Sequence, residues 1–279
     1  MGLTIKVDPG EKVKLAKTAT DRTAGLTKSA GNERLDALSE QLGELQELLF
    51  AAHRHALLIV LQGMDTSGKD GTIKHVMSHV NPLGCRVEAF KVPTEEELAH
   101  DFLWRVHKVT PARGTMTIFN RSHYEDVVVA RVHELVPKAT WEPRYDHIVD
   151  FERMLADNGT LILKFFLHIS LEEQEERLLA REQDPSKAWK LSAADWRERE
   201  RWDDYLQAYD DAIIRTSTKH APWHIVPADK KWFRNLAIAE ATVDALAAHR
   251  DEWNDALRAL AETKLAELHA MRKSGKSAT

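Results

Sequence analysis

Leu57-Leu58-Ile59-Val60-Leu61-Gln62 runs into Gly63-Met64-Asp65-Thr66-Ser67-Gly68-Lys69-Asp70-Gly71-Thr72, and helix-compatible residues resume at Thr72-Ile73-Lys74-His75-Val76-Met77. The apolar run is too short for a buried helix and breaks at a glycine, so the order is strand, glycine-bounded loop, helix. A phosphate-binding loop requires that context. Gly63 and Gly68 permit positive φ and leave no Cβ between the backbone amides and an anion. The helix that follows points its amides and positive dipole end at the same spot. Lys69 is placed to reach the outer phosphates. Gly63, Met64, Thr66, Ser67, Gly68, Asp70, Gly71 and Thr72 become the expected nucleotide- and phosphate-binding positions.

Asp70 stands where such a loop usually carries Ser or Thr, and Asp65 sits inside the loop. Two carboxylates beside a bound polyanion repel it by several kcal/mol at low dielectric unless cations intervene. Mg²⁺ held by Asp65 and shared with the phosphates resolves the conflict.

The remaining chain narrows the class. Its 279 residues can bury one substantial core, and its 30% charged and 43% apolar composition suits a globular protein. No run of 18 apolar residues occurs and the N-terminus has no apolar signal core, so a cytoplasmic protein without a membrane partner is expected. The lone Cys85 excludes an internal disulfide and a cysteine-based zinc site. A net charge of -5 argues against a nucleic-acid partner, so a polyanion must meet a local basic patch.

Residues 1–31 read as an extended arm. Leu35, Leu38, Leu42, Leu45, Leu49 and Ala52 recur at steps of three and four, which predicts an amphipathic helix over 32–55. Its apolar stripe either packs on its own domain or forms a subunit interface; a homo-oligomer, dimer or tetramer, is expected. Further short apolar runs lie at 85–90, 115–119, 161–167 and 223–226, separated by helical stretches near 96–108, 123–134, 144–157 and 171–183. The alternation predicts a single α/β domain: a P-loop kinase-like three-layer sandwich with a parallel five-stranded sheet. Ligands belong at the carboxyl ends of its strands. Residues 171–215 form a long insertion, with a loop at Asp184-Pro185-Ser186-Lys187 and a second helix capped by Ser192 running to about Arg215. It reads as a helical lid whose basic residues are Arg177, Arg181, Lys187 and Lys190. Residues 273–279 end in a G-K-S-like fragment that follows helix rather than strand and reads as a disordered tail.

The second candidate site is Ile118-Phe119-Asn120-Arg121-Ser122-His123-Tyr124-Glu125-Asp126. In P-loop enzymes the end of a neighbouring strand supplies an acid for Mg²⁺; here Asn120 stands there and acids return at Glu125 and Asp126. Arg121 between them can hold phosphate oxygens as a planar fork. Glu125 and Asp126 also suit an ordinary first helical turn. His75 and His79 stand four apart without a third ligand, and the tryptophans at 189, 196, 202, 223 and 232 read as packing.

Gln62–Thr72 and Phe119–Asp126 resemble the corresponding motifs of polyphosphate kinase family 2, as do Asp184-Pro185-Ser186-Lys187-Ala188-Trp189-Lys190-Leu191-Ser192 and Thr216-Ser217-Thr218-Lys219-His220-Ala221-Pro222-Trp223. The motifs are collinear over about residues 4–247. The resemblance is closest to the family's third class. It implies Mg²⁺-dependent phosphoryl transfer from inorganic polyphosphate to AMP and ADP, giving ADP and ATP, under a helical lid. Other classes have Asp where Asn120 stands, which leaves the metal role mainly with Asp65. On this reading Asp65, Lys69, Arg121, Glu125 and Asp126 are catalytic, Asn120 joins the nucleotide-binding positions, and the four lid cations grip the polymer or close over the nucleotide. The rivals are an ATP-dependent nucleoside monophosphate kinase and a nucleotide-sensing switch without turnover. No Asn-Lys-x-Asp guanine-reading motif supports a GTPase-like switch.

Overall fold

The computed structural model describes residues 2–190 and 192–273, apart from the side chains of Lys187, Ala188, Lys190 and Lys273. Six strands make one sheet: β1 (Ile5–Val7), β2 (Ala56–Gln62), β3 (Cys85–Ala89), β4 (Met116–Asn120), β5 (Thr160–His168) and β6 (Trp223–Pro227). Their order is β1-β6-β5-β2-β4-β3. β2 is buried along its whole length because it lies at the centre, between β4 and β5, and both pairings are parallel.

The expected five-stranded parallel sheet is corrected here to a six-stranded mixed one. Part of the N-terminal arm, Ile5–Val7, pairs antiparallel with β6 at the sheet's edge. The arm then buries Leu15, whose amide donates to the Asp210 carboxylate at 2.8 Å while its carbonyl meets His168 Nε2 at 3.0 Å.

Helices cover both faces. One layer holds α1 (Lys28–Ala52), α2 (Lys69–Val76), α11 (Lys231–Ala247) and α12 (Arg250–Lys273); α1 packs on α11 and α12, so its leucine stripe is covered by its own domain. That helix starts before residue 32 because Thr27 caps it, accepting from the Ala30 amide at 3.3 Å, and it stops at His53, which turns left-handed. The other layer holds α5 (Glu125–Val132), α6 (Lys138–Trp141), α7 (Arg144–Asp157) and α10 (Trp202–Thr216). Between β3 and β4 the predicted helix over 96–108 is two short ones, α3 (Glu95–Leu98), with a Thr94–Glu97 capping box, and α4 (Trp104–His107). The 171–215 segment comprises α8 (Leu171–Glu182), a 3-10 turn at Pro185–Lys190, α9 (Ala193–Arg199) and α10. Ser192 does cap α9, accepting from the Ala194 amide, but the expected single helix to Arg215 is interrupted at Glu200-Arg201.

β2 is the switch point of the topology: the chain leaves it toward β3 and β4 on one side and returns to β5 on the other. The crevice at its carboxyl end is therefore open to ligand. The final residues of the predicted tail, 274–279, lie outside the described ones. Among the described residues no helix is long and apolar enough to cross a membrane.

Candidate active site

The chain leaves β2 at Gln62 and starts α2 at Lys69, so residues 63–68 form the loop at the switch point. Two of its glycines are required by their surroundings. A Cβ on Gly63 would come within 2.6 Å of the Leu167 carbonyl, and one on Gly68, at φ +103°, would overlap the Arg234 guanidinium. Gly68 is also the cap of α2, so the unsatisfied amides of the first turn open beside it. The loop is braced internally by the Ser67 amide on the Met64 carbonyl at 3.1 Å.

Lys69 is buried, and its Nζ lies across the loop, donating to the carbonyls of Gly63 at 2.8 Å and Met64 at 3.2 Å. Burial, and then the Arg121 charge, bring its pKa from 10.5 to about 8, against the pull of Asp65, Glu125 and Asp70. The lysine stays cationic at neutral pH and is close to its limit.

The end of β4 faces this loop because the two strands are in register, Leu61 beside Asn120. Arg121 adopts φ +63° and its amide donates to the Leu61 carbonyl at 3.1 Å, which turns the side chain toward the loop. Its Nη2 donates to Asp65 Oδ1 at 2.6 Å, and its Nη1 lies 3.6 Å from Glu125 Oε2. Asn120 Nδ2 donates to Asp70 Oδ1 at 2.9 Å. Each loop carboxylate is thus met by a residue from the neighbouring strand end. Glu125 accepts from Gln62 Nε2 at 3.1 Å; burial raises its pKa, and Arg121 and Lys69 pull it back.

A cavity of about 520 Å³ opens above these groups, large enough for a nucleotide. Asp65, Lys69, Asp70, Asn120 and Arg121 line its polar floor; Phe90 and Val92 follow β3 on one side, and Arg181, Trp189 and Asp195 reach in from the helical insertion. Arg181 Nη1 donates to Asp195 Oδ2 at 3.1 Å, and burial followed by the Asp65 charge raises the Asp195 pKa. A smaller cavity of about 40 Å³ continues behind Asp65 and Arg121 to Glu125, Glu198 and Tyr205.

The structure brings Asp65, Lys69, Asp70, Asn120, Arg121, Glu125 and Arg181 together. Others it separates. Asp126, one residue beyond Glu125, points away from the loop: Arg105 Nη2 donates to it at 3.3 Å, and Arg144 lies 3.7 Å away. Arg177 is not a solvent-facing lid cation. It is buried behind the loop, donating to the carbonyls of Thr66, Ser67, Ala228 and Asp229 and pairing with Glu173 at 2.7 Å. Lys187 and Lys190 lie outside the described side chains. His75 and His79 do not share a helix face, because α2 ends at Val76. Trp189, expected in packing, is 79% exposed at the cavity mouth.

Sequence reasoning missed Phe90, Val92, Asp195 and Arg234. Asp195 was visible only as the third residue after the Ser192 cap, and Arg234 sits in no motif.

A family model, Polyphosphate kinase 2 (PPK2), matches residues 25–254. The chain is 51% identical over 243 residues to the AMP/ADP-polyphosphate phosphotransferase of Meiothermus ruber, covering 86% of this chain and 91% of that protein. It is 45% identical over 254 residues to the ADP-polyphosphate phosphotransferase of Rhodopseudomonas palustris, covering 86% and 88%. Among solved structures, that of polyphosphate kinase 2 from Arthrobacter aurescens superposes with a TM-score of 0.84 at 46% identity, over 88% of each chain.

Proposed function

The chain belongs to the polyphosphate kinase 2 family, and from that premise we propose that it transfers phosphate from inorganic polyphosphate to AMP and ADP, giving ADP and ATP. The observation that carries the reading is the convergence of Lys69 and Arg121 on the floor of one cavity, with the amides at the start of α2 beside them.

Phosphoryl transfer passes through a loose transition state, so the protein's task is to align the groups and neutralise charge. The amides of residues 63–71 take the nucleotide's phosphates. Lys69 and Arg121 stabilise the transferring phosphoryl group. Asn120, donating to Asp70 at 2.9 Å, offsets part of that carboxylate's charge on the floor that the polyanion meets. Arg181 enters from α8 to meet phosphate oxygens, and Phe90, Val92 and Trp189 offer apolar surface at the mouth. The end of α8 and the start of α9, which reach the cavity with Arg181 and Asp195, act as a lid that excludes the water that would otherwise accept the phosphoryl group. α10 belongs to the packed layer.

Magnesium fits this floor. Its lining combines the hard carboxylate oxygens of Asp65 and Asp70, and no cysteine or histidine stands among the lining residues. Asp65 would hold the ion, with Asp70 nearby. An ion held by that carboxylate would supply positive charge against that of the phosphates.

The test supplies purified protein with Mg²⁺, AMP and long-chain polyphosphate, without a nucleotide donor. ADP forms first and ATP follows. Phosphorylation of AMP only when ATP is supplied would replace this reading with a monophosphate kinase, and nucleotide binding without turnover from either donor would replace it with a switch.

A further inference from the structure

Arg234 lies in the first turn of α11, at 3% exposure, with its guanidinium directly beneath the phosphate loop. Nη1 donates to the Ser67 carbonyl at 3.1 Å, while Nε and Nη2 both donate to Asn235 Oδ1, at 3.1 and 2.8 Å. The contact with the loop is close enough that a Cβ on Gly68 would overlap it, and a Cβ on Gly71 would sit 3.4 Å from Nη2. Arg177 reaches the same Ser67 carbonyl from α8, also at 3.1 Å.

The two guanidiniums differ in their compensation. Arg177 is paired with Glu173. The described partners of Arg234 are a carbonyl and a carboxamide, both neutral. Among the described residues, then, Arg234 is a buried positive charge without an anionic partner. Burying such a charge is costly unless an opposite one approaches. Burial, and then Arg177, bring the Arg234 pKa from 12.5 to about 9, which reports that cost. The face of the loop opposite Arg234 is the cavity floor, where anionic phosphate arrives on the reading above.

We propose that Arg234 is a positioning residue of the phosphate site: from behind, it fixes the Ser67–Gly68 peptide and lends the loop a buried positive charge whose counter-charge is the bound phosphate. The inference rests on the phosphate-loop reading. It assigns part of the site's affinity for di- and polyphosphate groups to a side chain that never touches them, preorganised in a low-dielectric layer.

The experiment measures binding rather than turnover, by calorimetric titration of ADP, tripolyphosphate and adenosine into the full chain. Arg234→Met keeps volume without charge, Arg234→Gln keeps a neutral donor for Ser67, and Arg234→Lys keeps the charge without the fork. Arg234→Met and Arg234→Gln weaken ADP and tripolyphosphate by at least about tenfold, the scale of one lost charge-assisted contact. Arg234→Lys stays within about threefold of wild type, and adenosine affinity is unchanged throughout. Thermal unfolding of each variant verifies folding; if Arg234→Met does not fold, the Gln and Lys pair still decides. Normal phosphate binding by Arg234→Gln, with or without loss in Arg234→Lys, would show that charge is not the contribution and overturn the inference alone. A wild type that binds neither ADP nor tripolyphosphate would overturn the phosphate-loop reading and the inference with it.

Discussion

Lys69→Met keeps the unbranched stem and removes the ammonium, and two opposing effects on stability can be worked from the structure. In the folded chain the lysine pKa falls from 10.5 to about 8. A difference of about 2.5 units at ~1.4 kcal/mol each makes the buried charge cost about 3 kcal/mol at neutral pH. Substitution relieves that cost but takes the donor from the Gly63 and Met64 carbonyls. Losing two hydrogen bonds at about 1 kcal/mol each returns about 2 kcal/mol. The balance is about 1 kcal/mol in the variant's favour, so Tm stays within about 4 °C of wild type, and any shift is upward. Catalysis has no such compensation. Removing one preorganised charge from the transferring phosphoryl lowers kcat at least about a hundredfold. Differential scanning calorimetry of the unliganded proteins, beside a discontinuous assay for ADP formed from AMP and polyphosphate, reads both quantities. A near-normal kcat would refute the placement of Lys69 at the reacting phosphate. A Tm lowered by more than about 8 °C would show that its backbone bonds hold the loop together and that the charge costs little.

Asp65→Asn, which leaves Arg121 an amide in place of its 2.6 Å carboxylate partner, should raise the Mg²⁺ concentration needed for half-maximal rate as well as slow turnover, because an amide is the weaker cation ligand; an unchanged metal titration would move the metal to Glu125. The Kd for ADP should be flat below about pH 7.5 and rise by up to about tenfold per unit above pH 8, since the unliganded Lys69 loses its proton there. A profile flat to pH 9 would mean that the ammonium does not contribute to affinity. Lys164→Met should destabilise the protein by about 3–5 kcal/mol, because it strands the fully buried Glu152 carboxylate now 2.6 Å from Nζ. Adding Glu152→Met should recover at least half of the loss in chemical denaturation, and a double variant no better than the single would show that the two are not coupled.

That buried pair also marks where sequence reading stopped. The strand, loop and helix around Gly63–Thr72 were legible because periodicity and glycine placement are local signals. Lys164 looked like one polar interruption in an apolar run, whereas it is the centre of a network: Nζ donates to Glu152, the Tyr124 hydroxyl and the Thr216 carbonyl. Burial pushes Glu152 up, yet Lys164 and His123 outweigh it and hold the carboxyl below its ordinary value. Those partners lie on α7, α10 and the turn after β4, and no spacing rule connects them. Arg177 and Arg181 were correctly placed on one helix, but spacing could not show that α8 lies against the loop's back. One arginine is spent on loop carbonyls there while the other, a turn later, clears the edge and enters the cavity. Glu125 and Asp126 divide for a similar reason, since consecutive helical residues point about 100° apart. β1 was missed because three residues make no pattern; it is a strand only because β6 offers it an edge.

The antiparallel pairing of Ile5–Val7 with Trp223–Ile225 of β6, in the register Ile5 to Ile225, sets an order of events for a chain emerging from the ribosome. Ile5–Val7 has no strand to pair with until one more than two hundred residues later has been made, so that pairing comes late. Meanwhile β2, β4 and β5 can assemble as a parallel core, leaving the outer edge of β6 to be covered last. An exposed strand edge is a template for pairing with other chains. By closing that edge, the arm would make the last step of folding also the one that ends the period of greatest exposure to aggregation.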